Sequence, residues 1–372
     1  MDELSCWLAL ARAPTSNRIK LQLLKRCCSV TALFESAHRV LETLELPAAL
    51  RRYFRRPDRD AVARDRDWIE STGCSVLYLG HPHYPPLLAT IGDAPLLLYV
   101  LGDVAALSIP QVAVVGSRNP TPSGREHAAA FARALAELKL GVTSGLAVGI
   151  DAAAHAAALA AGGFTVAVTG NGLDKIYPAA NTRLAAAVRD HGALVSEFPP
   201  GAPPRAEHFP QRNRLISGLS LGVLVIEATA KSGSLITARL AGDQGREVFA
   251  VPGSIDNPLS KGCHRLLRDG AKLTESVSDI VSEIAPMLVA TAEFGAKATT
   301  AVGRELISAG VKSSSDRKLL RALGHDPASV DTLVERTGLT AEEVSSILMG
   351  LEMQGYVSSL PGGLYSRATG RH

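Results

Sequence analysis

The stretch "VAVVGSRNPTPSGREHAAAFARALAELKLGVTSGLAVGID", Val112 to Asp151, decides the fold. Its first four residues are an apolar run rich in β-branched side chains, which reads as a strand. Thr121 and Pro122 then suit the N-cap and first position of a helix, and Ala128, Phe131, Leu135 and Leu138 recur at helical spacing. A second short run, Gly141 to Ser144, makes the unit strand, helix, strand. Four more runs follow, at Thr165–Thr169, Ala193–Ser196, Gly222–Glu227 and Val248–Val251, separated by alanine-rich helical segments. Continuous apolar strands alternating with helices predict an α/β fold: a Rossmann-like, doubly wound, mostly parallel sheet covered on both faces.

In such a sheet, ligands bind beyond the carboxyl ends of the strands, so the residues after each strand are the candidates. The first strand ends in Gly116, Ser117 and Arg118, and the second runs into "SGLAVGID" with Ser144, Gly145, Gly149 and Asp151. The third leads to "TGNGLDKIYP", which carries Asp174 and Lys175. The fourth gives Glu197 and then "FPQRNRLISG" (Phe209–Gly218), with Arg212, Asn213 and Arg214. The fifth ends at Glu227 before Lys231 and Ser232, and the sixth in Pro252 and Gly253. Glycines that open a helix offer backbone N–H groups to an anion, and phosphate is the natural guest.

The chemistry at this face narrows by exclusion. The chain contains no Gly-Lys dipeptide, hence no Walker A loop, and "GNGLDK" lacks the third glycine of a dinucleotide fingerprint. No H-E-x-x-H, no G-x-S-x-G and no metal-ligand spacing occurs, so no metal and no cofactor is expected. Asp151 and His155 lie four apart on one helix, as a catalytic dyad or, on the favoured reading, as a helix-start cap beside a satisfied histidine. Glu197 and Glu227 read either as acid and base or, by preference, as ion-pair partners of Arg118, Arg212, Arg214 and Arg246. Arg212 and Arg214 can be a catalytic pair, an anion clamp or surface charge. The absence of a nucleophile or metal motif favours the clamp, with one of the two arginines open to pairing with Glu197 or Glu227 instead.

Working outward, residues 1–68 read as a helical domain, 69–285 as the Rossmann-like domain, 286–314 as a linker and 315–372 as a winged helix. The stretch Arg51–Trp68 sets seven arginines against four aspartates. It reads as a solvated helix face and linker, with an auxiliary nucleic-acid contact as the sharper alternative. The third helix of the C-terminal unit carries Glu342, Glu343 and Glu352 and neither Arg nor Lys, which suits a protein contact better than a DNA groove. With 372 residues and 46% hydrophobic content the chain can build a sizeable core. A net charge of +3 leaves the partner open. Five cysteines without C-x-x-C fit a reducing, cytoplasmic compartment, and no apolar run is long enough for a membrane span.

Taken together, "GSR" at Gly116, "SGLAVGIDAAAH" at Ser144, "GLDKIYP" at Gly172, "SEFPPG" at Ser196, "FPQRNRLISGLS" at Phe209, "SGSLITARLA" at Ser232 and "GREVFAVPG" at Gly245 closely resemble the DprA/Smf family, the DNA-processing protein A of bacterial transformation. The resemblance spans Val112 to Leu273 and departs at His264, where the family usually has Asn. It implies a sterile-alpha-motif-like N-terminal domain and a C-terminal winged helix. It further implies a non-enzymatic protein that binds single-stranded DNA, forms a homodimer through the Rossmann-like domain, and helps load RecA onto incoming strands. Arg118 is implied as a DNA contact, with Lys175, Arg212 and Arg214 as candidate members of the same basic pocket. Tyr177 and Phe209 offer base stacking, with core packing as the preferred alternative. Two competing functions remain in view: a phosphoribohydrolase-like enzyme on a related fold, although its "PGGxGTxxE" motif is absent, and a duplex-reading transcription regulator.

Overall fold

The computed structural model describes residues 1–27, 29–35 and 47–293, and then 318–319, 322–323, 327–353, 357–360 and 363–367. The described residues at the start of the chain form α1 (Glu3–Arg12), α2 (Asn17–Arg26), α3 (Val30–Glu35), α4 (Ala48–Arg55) and α5 (Arg59–Thr72). Asp2 and Asp58 start α1 and α5 by accepting from the N–H groups of Ser5 and Ala61, each at 2.9 Å, as N-caps do. Next come β1 (Ser75–Tyr78), the one-turn α6 (Pro86–Ala89) and β2 (Leu97–Gly102). The alternating part follows as β3 (Gln111–Val115), α7 (Pro122–Glu137), β4 (Gly141–Ser144), α8 (Ile150–Ala160), β5 (Thr165–Val168), α9 (Thr182–His191) and β6 (Ala193–Ser196). It continues with α10 (His208–Gly218), β7 (Gly222–Val225), α11 (Ser234–Asp243), β8 (Glu247–Ala250), α12 (Lys261–Arg268), β9 (Lys272–Leu273) and α13 (Val277–Glu293).

The nine strands form one sheet in the order β1-β2-β6-β5-β4-β3-β7-β8-β9. The strands from β3 to β9 pair in parallel, whereas β1 and β2 extend the sheet antiparallel at the β6 edge. All six strands expected from sequence are present; β1, β2 and β9 are additional. From β3 the chain winds outward to β6, then returns to the other side of β3 as β7. The switch point between β3 and β7 is therefore where a crevice must open at the strands' carboxyl ends.

The core does not stop at residue 68. Leu8, Leu10, Leu23, Leu33, Leu50 and Phe54 of the helical segment pack in one cluster with Leu97, Tyr99, Leu146 and Ala167 of the α/β part. Trp7 stacks on Tyr78 with ring centroids 4.7 Å apart. Arg12 makes two 2.6 Å hydrogen bonds to Asp65 and a third, at 3.3 Å, to the Pro200 carbonyl after β6. The helical segment and the sheet thus belong to one compact unit, Met1–Val302, and Gly303–His372 forms a second.

In the second unit, β10 (Ala328–Ser329), α14 (Val330–Thr337), α15 (Ala341–Met353), β11 (Val357–Leu360) and β12 (Leu364–Arg367) surround Leu319, Leu323, Leu333, Val344 and Leu348. Its three strands lie in the order β10-β12-β11. Glu342, Glu343 and Met349 of α15 face solvent. The linker expected at 286–314 begins as the end of α13; its residues 294–314 lie outside the described residues.

His155 locks α8 to the sheet. Thr165 Oγ1 donates to the Val142 carbonyl at 2.7 Å, so its hydrogen is committed and the neutral imidazole donates from Nδ1 to that oxygen at 2.6 Å. Burial, followed by the charge of Arg212, lowers the His155 pKa to about 3. Between pH 6.5 and about 3 the unfolded chain takes up a proton that the folded chain refuses, so stability falls on acidification across that window. Urea unfolding across this pH range will show a component of up to ~1.4 kcal/mol per pH unit that His155→Gln abolishes. Identical slopes for the two proteins would show that His155 does not carry this proton linkage.

Candidate functional site

At the switch point, a cavity of about 460 Å³ is lined by the end of β3, Arg118, the start of α8 with Asp151, one face of α10 with Phe209, Arg212 and Asn213, and Ser232, Ser234 and Thr237 at the start of α11. Two helix N-termini, of α8 and α11, converge on it, and their dipoles favour an anion. Among the described residues, no three His, Cys, Asp or Glu side chains come together as a metal site would require.

The loop carrying Arg118 is fixed from both ends. Ile150 N–H, at the start of α8, donates to the Ser117 carbonyl at 3.1 Å, and Asn119 N–H donates to Ser117 Oγ at 3.1 Å. Gly149 has φ +88°, and a β-carbon there would run into the Ser117 and Arg118 carbonyls, so only glycine permits this close approach. At the other end, Thr121 donates to Glu227 from N–H at 2.9 Å and from Oγ1 at 2.6 Å. Thr121 Oγ1 in turn accepts from Gly124 N–H at 2.9 Å, and a β-carbon on Gly124 would lie 2.5 Å from the Glu227 carboxyl carbon. Glu227 thus holds the entrance of α7, which corrects the expectation that it pairs with an arginine.

Arg118 itself is exposed and forms no ion pair among the described residues. Its guanidinium lies 5.8 Å from the centroid of the Phe209 ring, a cation–π distance. Tyr177 continues the row, 5.6 Å from Phe209 and 44% exposed.

Arg212 and Arg214 face different ways. The stretch is helical, and residues two apart on a helix do not share a face, so the two arginines cannot clamp one ligand. Arg212 is buried and donates from Nη1 to the carbonyls of Gly145, at 2.7 Å, and Val168. Asp151 lies beside it and accepts from the N–H groups of Gly145 and Ala147 at 3.1 and 3.3 Å. Burial lowers the Arg212 pKa to about 10, against the pull of Asp151, so the side chain remains cationic at neutral pH. Burial likewise pushes the Asp151 carboxyl up, against Arg212 and the two N–H groups. Asp151 therefore latches the glycine loop, while the His155 Nδ1 bonds Thr165 instead. Arg214 is buried on the other face of α10, where it pairs with Glu197 and, at 3.2 Å, with Asp93. Burial raises the Glu197 carboxyl against the pull of Arg214.

The remaining candidates scatter around the cavity. Ser144 is buried and donates to the Val114 carbonyl at 2.6 Å, and Asp174 accepts from Gly201 N–H at 2.7 Å, tying the β5 and β6 loops together. Lys175 is exposed on the β5 loop outside the cavity lining. Lys231 lines a separate, larger cavity of about 700 Å³, with Ser232 facing both. Arg246 also belongs to that second cavity and donates to the Leu87 carbonyl at 2.8 Å, away from the expected cluster. His264 bonds the Gly253 carbonyl through Nε2 at 2.9 Å. Sequence reading missed Asp93, and it read Thr121 only as a helix cap. No local signal ties either to its distant partner.

A mostly parallel doubly wound sheet with a helical N-terminus and a winged-helix unit defines a Rossmann-like class of protein. Within that class, residues 75–285 match the family described as DNA recombination-mediator protein A, and 308–363 match the DprA winged helix domain. The chain belongs to this DNA processing protein A family. It is 40% identical over 306 residues to Protein Smf of Escherichia coli, covering 82% of this chain and 80% of that one. It is 50% identical over 200 residues to the DNA processing protein DprA of Streptococcus pneumoniae, covering 54% and 71%. The X-ray structure of DNA processing protein A from S. pneumoniae superposes with a TM-score of 0.67 at 39% identity, covering 74% of this chain and 96% of that one. A Helicobacter pylori DNA processing protein A, whose structure is described as revealing a unique single-stranded DNA binding mode, gives a TM-score of 0.52 at 32% identity, covering 58% and 95%.

The placement of Arg214 makes a specific prediction. Arg214→Leu strands Glu197 as a buried, unpaired carboxylate and will cost roughly 3 to 5 kcal/mol in urea unfolding. The double variant Arg214→Leu/Glu197→Leu will recover part of that loss. Equal stability of Arg214→Leu and the unaltered chain would mean that the pair does not hold the structure.

Proposed function

We propose that this protein binds single-stranded DNA at the switch-point cavity, acting as a non-enzymatic mediator that protects incoming strands and loads RecA for recombination in natural transformation. The observation that carries this reading is Arg118: an exposed guanidinium on a loop anchored at both ends, without an ion-pair partner among the described residues, set over Phe209 beside a cavity with two helix N-termini. Family membership supports it, as does the single-strand binding mode described for the H. pylori relative. Phosphate contacts supply charge-driven affinity, and aromatic faces accept any base, so the combination suits strand binding without sequence preference. Lys175, on the loop that also presents Tyr177, extends the cationic rim.

The phosphoribohydrolase alternative needs a free acid after β7. Glu227 is committed to Thr121, and Asp151, which lines the cavity, is committed to backbone N–H groups, so the binding role is the better supported. A homodimer through the α/β domain and a cytoplasmic location complete the proposal. Cys6, Cys74 and Cys263 are buried thiols outside any disulfide, as suits a reducing compartment, and no described helix is long and apolar enough to cross a membrane.

Arg118→Glu will reduce single-strand affinity at least tenfold at low salt in fluorescence anisotropy while leaving the melting temperature unchanged. For the unaltered protein, log affinity will fall linearly with log salt at a slope of about −0.7 per neutralised phosphate. Unchanged affinity in the variant, or release of free base from nucleoside monophosphates by the pure protein, would reject the proposal. Glu227→Ala, which frees the Arg118 loop without removing its charge, will weaken binding less than Arg118→Glu does. A larger loss than that of Arg118→Glu would show that the acid itself meets the ligand.

A further inference from the structure

The helical segment carries a charge pattern that its own fold does not use. Helix α4 buries Leu50 and Phe54 and turns Arg51, Arg52 and Arg55 to solvent, with Arg56 exposed just beyond its end. Arg51 and Arg55, like Arg52 and Arg56, stand four residues apart, where like charges repel. Among the described residues, no carboxylate pairs with them. Asp65 is bound by Arg12, Glu70 faces Arg66, and Asp58 caps α5.

This basic face is fastened to the loop that leads to the cavity. Tyr53 of α4 donates to the Ala9 carbonyl of α1 at 2.7 Å, and Arg12 at the end of α1 reaches the Pro200 carbonyl on the segment between β6 and α10. That segment runs on to Phe209 and Arg212, which line the cavity.

We propose that α4 is a second contact for the sugar–phosphate backbone of a single strand, which leaves the Arg118 cavity and continues onto the helical segment. Guanidinium forks match phosphate oxygens, and a row of them without an aromatic slot or a base-reading groove recognises the backbone alone. The inference rests on the cavity being a single-strand site, and it adds length dependence: a short oligonucleotide fills the cavity, whereas a longer one also neutralises α4.

The test uses the full chain with Arg51→Glu, Arg52→Glu and Arg55→Glu combined, titrated by fluorescence anisotropy against oligothymidines of about 8 and about 40 nucleotides. The expected result is unchanged affinity for the short strand, at least tenfold weaker binding of the long one at low salt, and a salt slope shallower by about 0.7 for each phosphate that α4 no longer neutralises. Equal long-strand affinity and slope in variant and unaltered protein would overturn the proposal and leave the face to an acidic protein partner. Failure of Arg118→Glu to weaken the short strand would instead reject the cavity reading, so the two failures are distinct. Should the charge reversal prevent folding, Arg51→Gln, Arg52→Gln and Arg55→Gln together carry the same comparison, with the smaller slope change again the supporting result.

Discussion

The carboxyl-end face of the sheet depends on the buried guanidinium of Arg212. It bonds the carbonyl of Gly145 after β4 and that of Val168 at the end of β5, and so joins α10 to two strands and to the loop that begins α8. Removing a charge from water costs several kcal/mol per ion, and here the cost is offset by carbonyl dipoles and by Asp151 beside it. The arrangement also dictates a residue elsewhere. A β-carbon at position 145 would lie 2.6 Å from Arg212 Nη1, so the glycine there serves the arginine's approach as well as the turn.

This internal compensation divides the charged groups into two populations. Arg212 and Arg214 are buried against Asp151 and Glu197, and their charges shape the walls. Arg118 is compensated by no carboxylate among the described residues, so the attraction the cavity offers an anion comes from it and from the ends of α8 and α11. A count of basic residues near the strand ends therefore overstates the available charge. What matters is which of them still faces water.

The same distinction separates what was legible in the sequence from what was not. The six strands expected from sequence were readable because five of them are short runs buried throughout, and β8 is buried in its second half, so apolar residues run on without the polar alternation of a half-exposed strand. The "GSR" turn and the Gly149 loop were readable from their places after strands. By contrast β1 and β2 lie in a Pro-rich stretch without a crossover helix between them, so the strand–helix alternation that exposed the rest is missing. The fates of Arg212 and Arg214 depended on recognising a helix that contains Pro210 near its start, where proline is tolerated. Once the helix is known, their two-residue spacing alone sends them to opposite sides. Glu227 was unreadable for a different reason: its partner, Thr121, lies 106 residues away.

That long-range bond explains how an exposed arginine can be an effective contact. A free arginine side chain loses rotamer entropy when it meets a ligand, and a mobile loop would add its own ordering cost. Here the backbone is fixed before any ligand arrives, by Ile150 on one side and by Glu227 through Thr121 on the other. The Phe209 ring below the guanidinium narrows what remains to the side chain itself. The loop after β3 is thus held by residues that follow its two sheet neighbours, Ile150 beyond β4 and Glu227 beyond β7, and β7 lies beside β3 only because the winding reverses there. The topology that opens the crevice also supplies the anchor for the charge at its mouth.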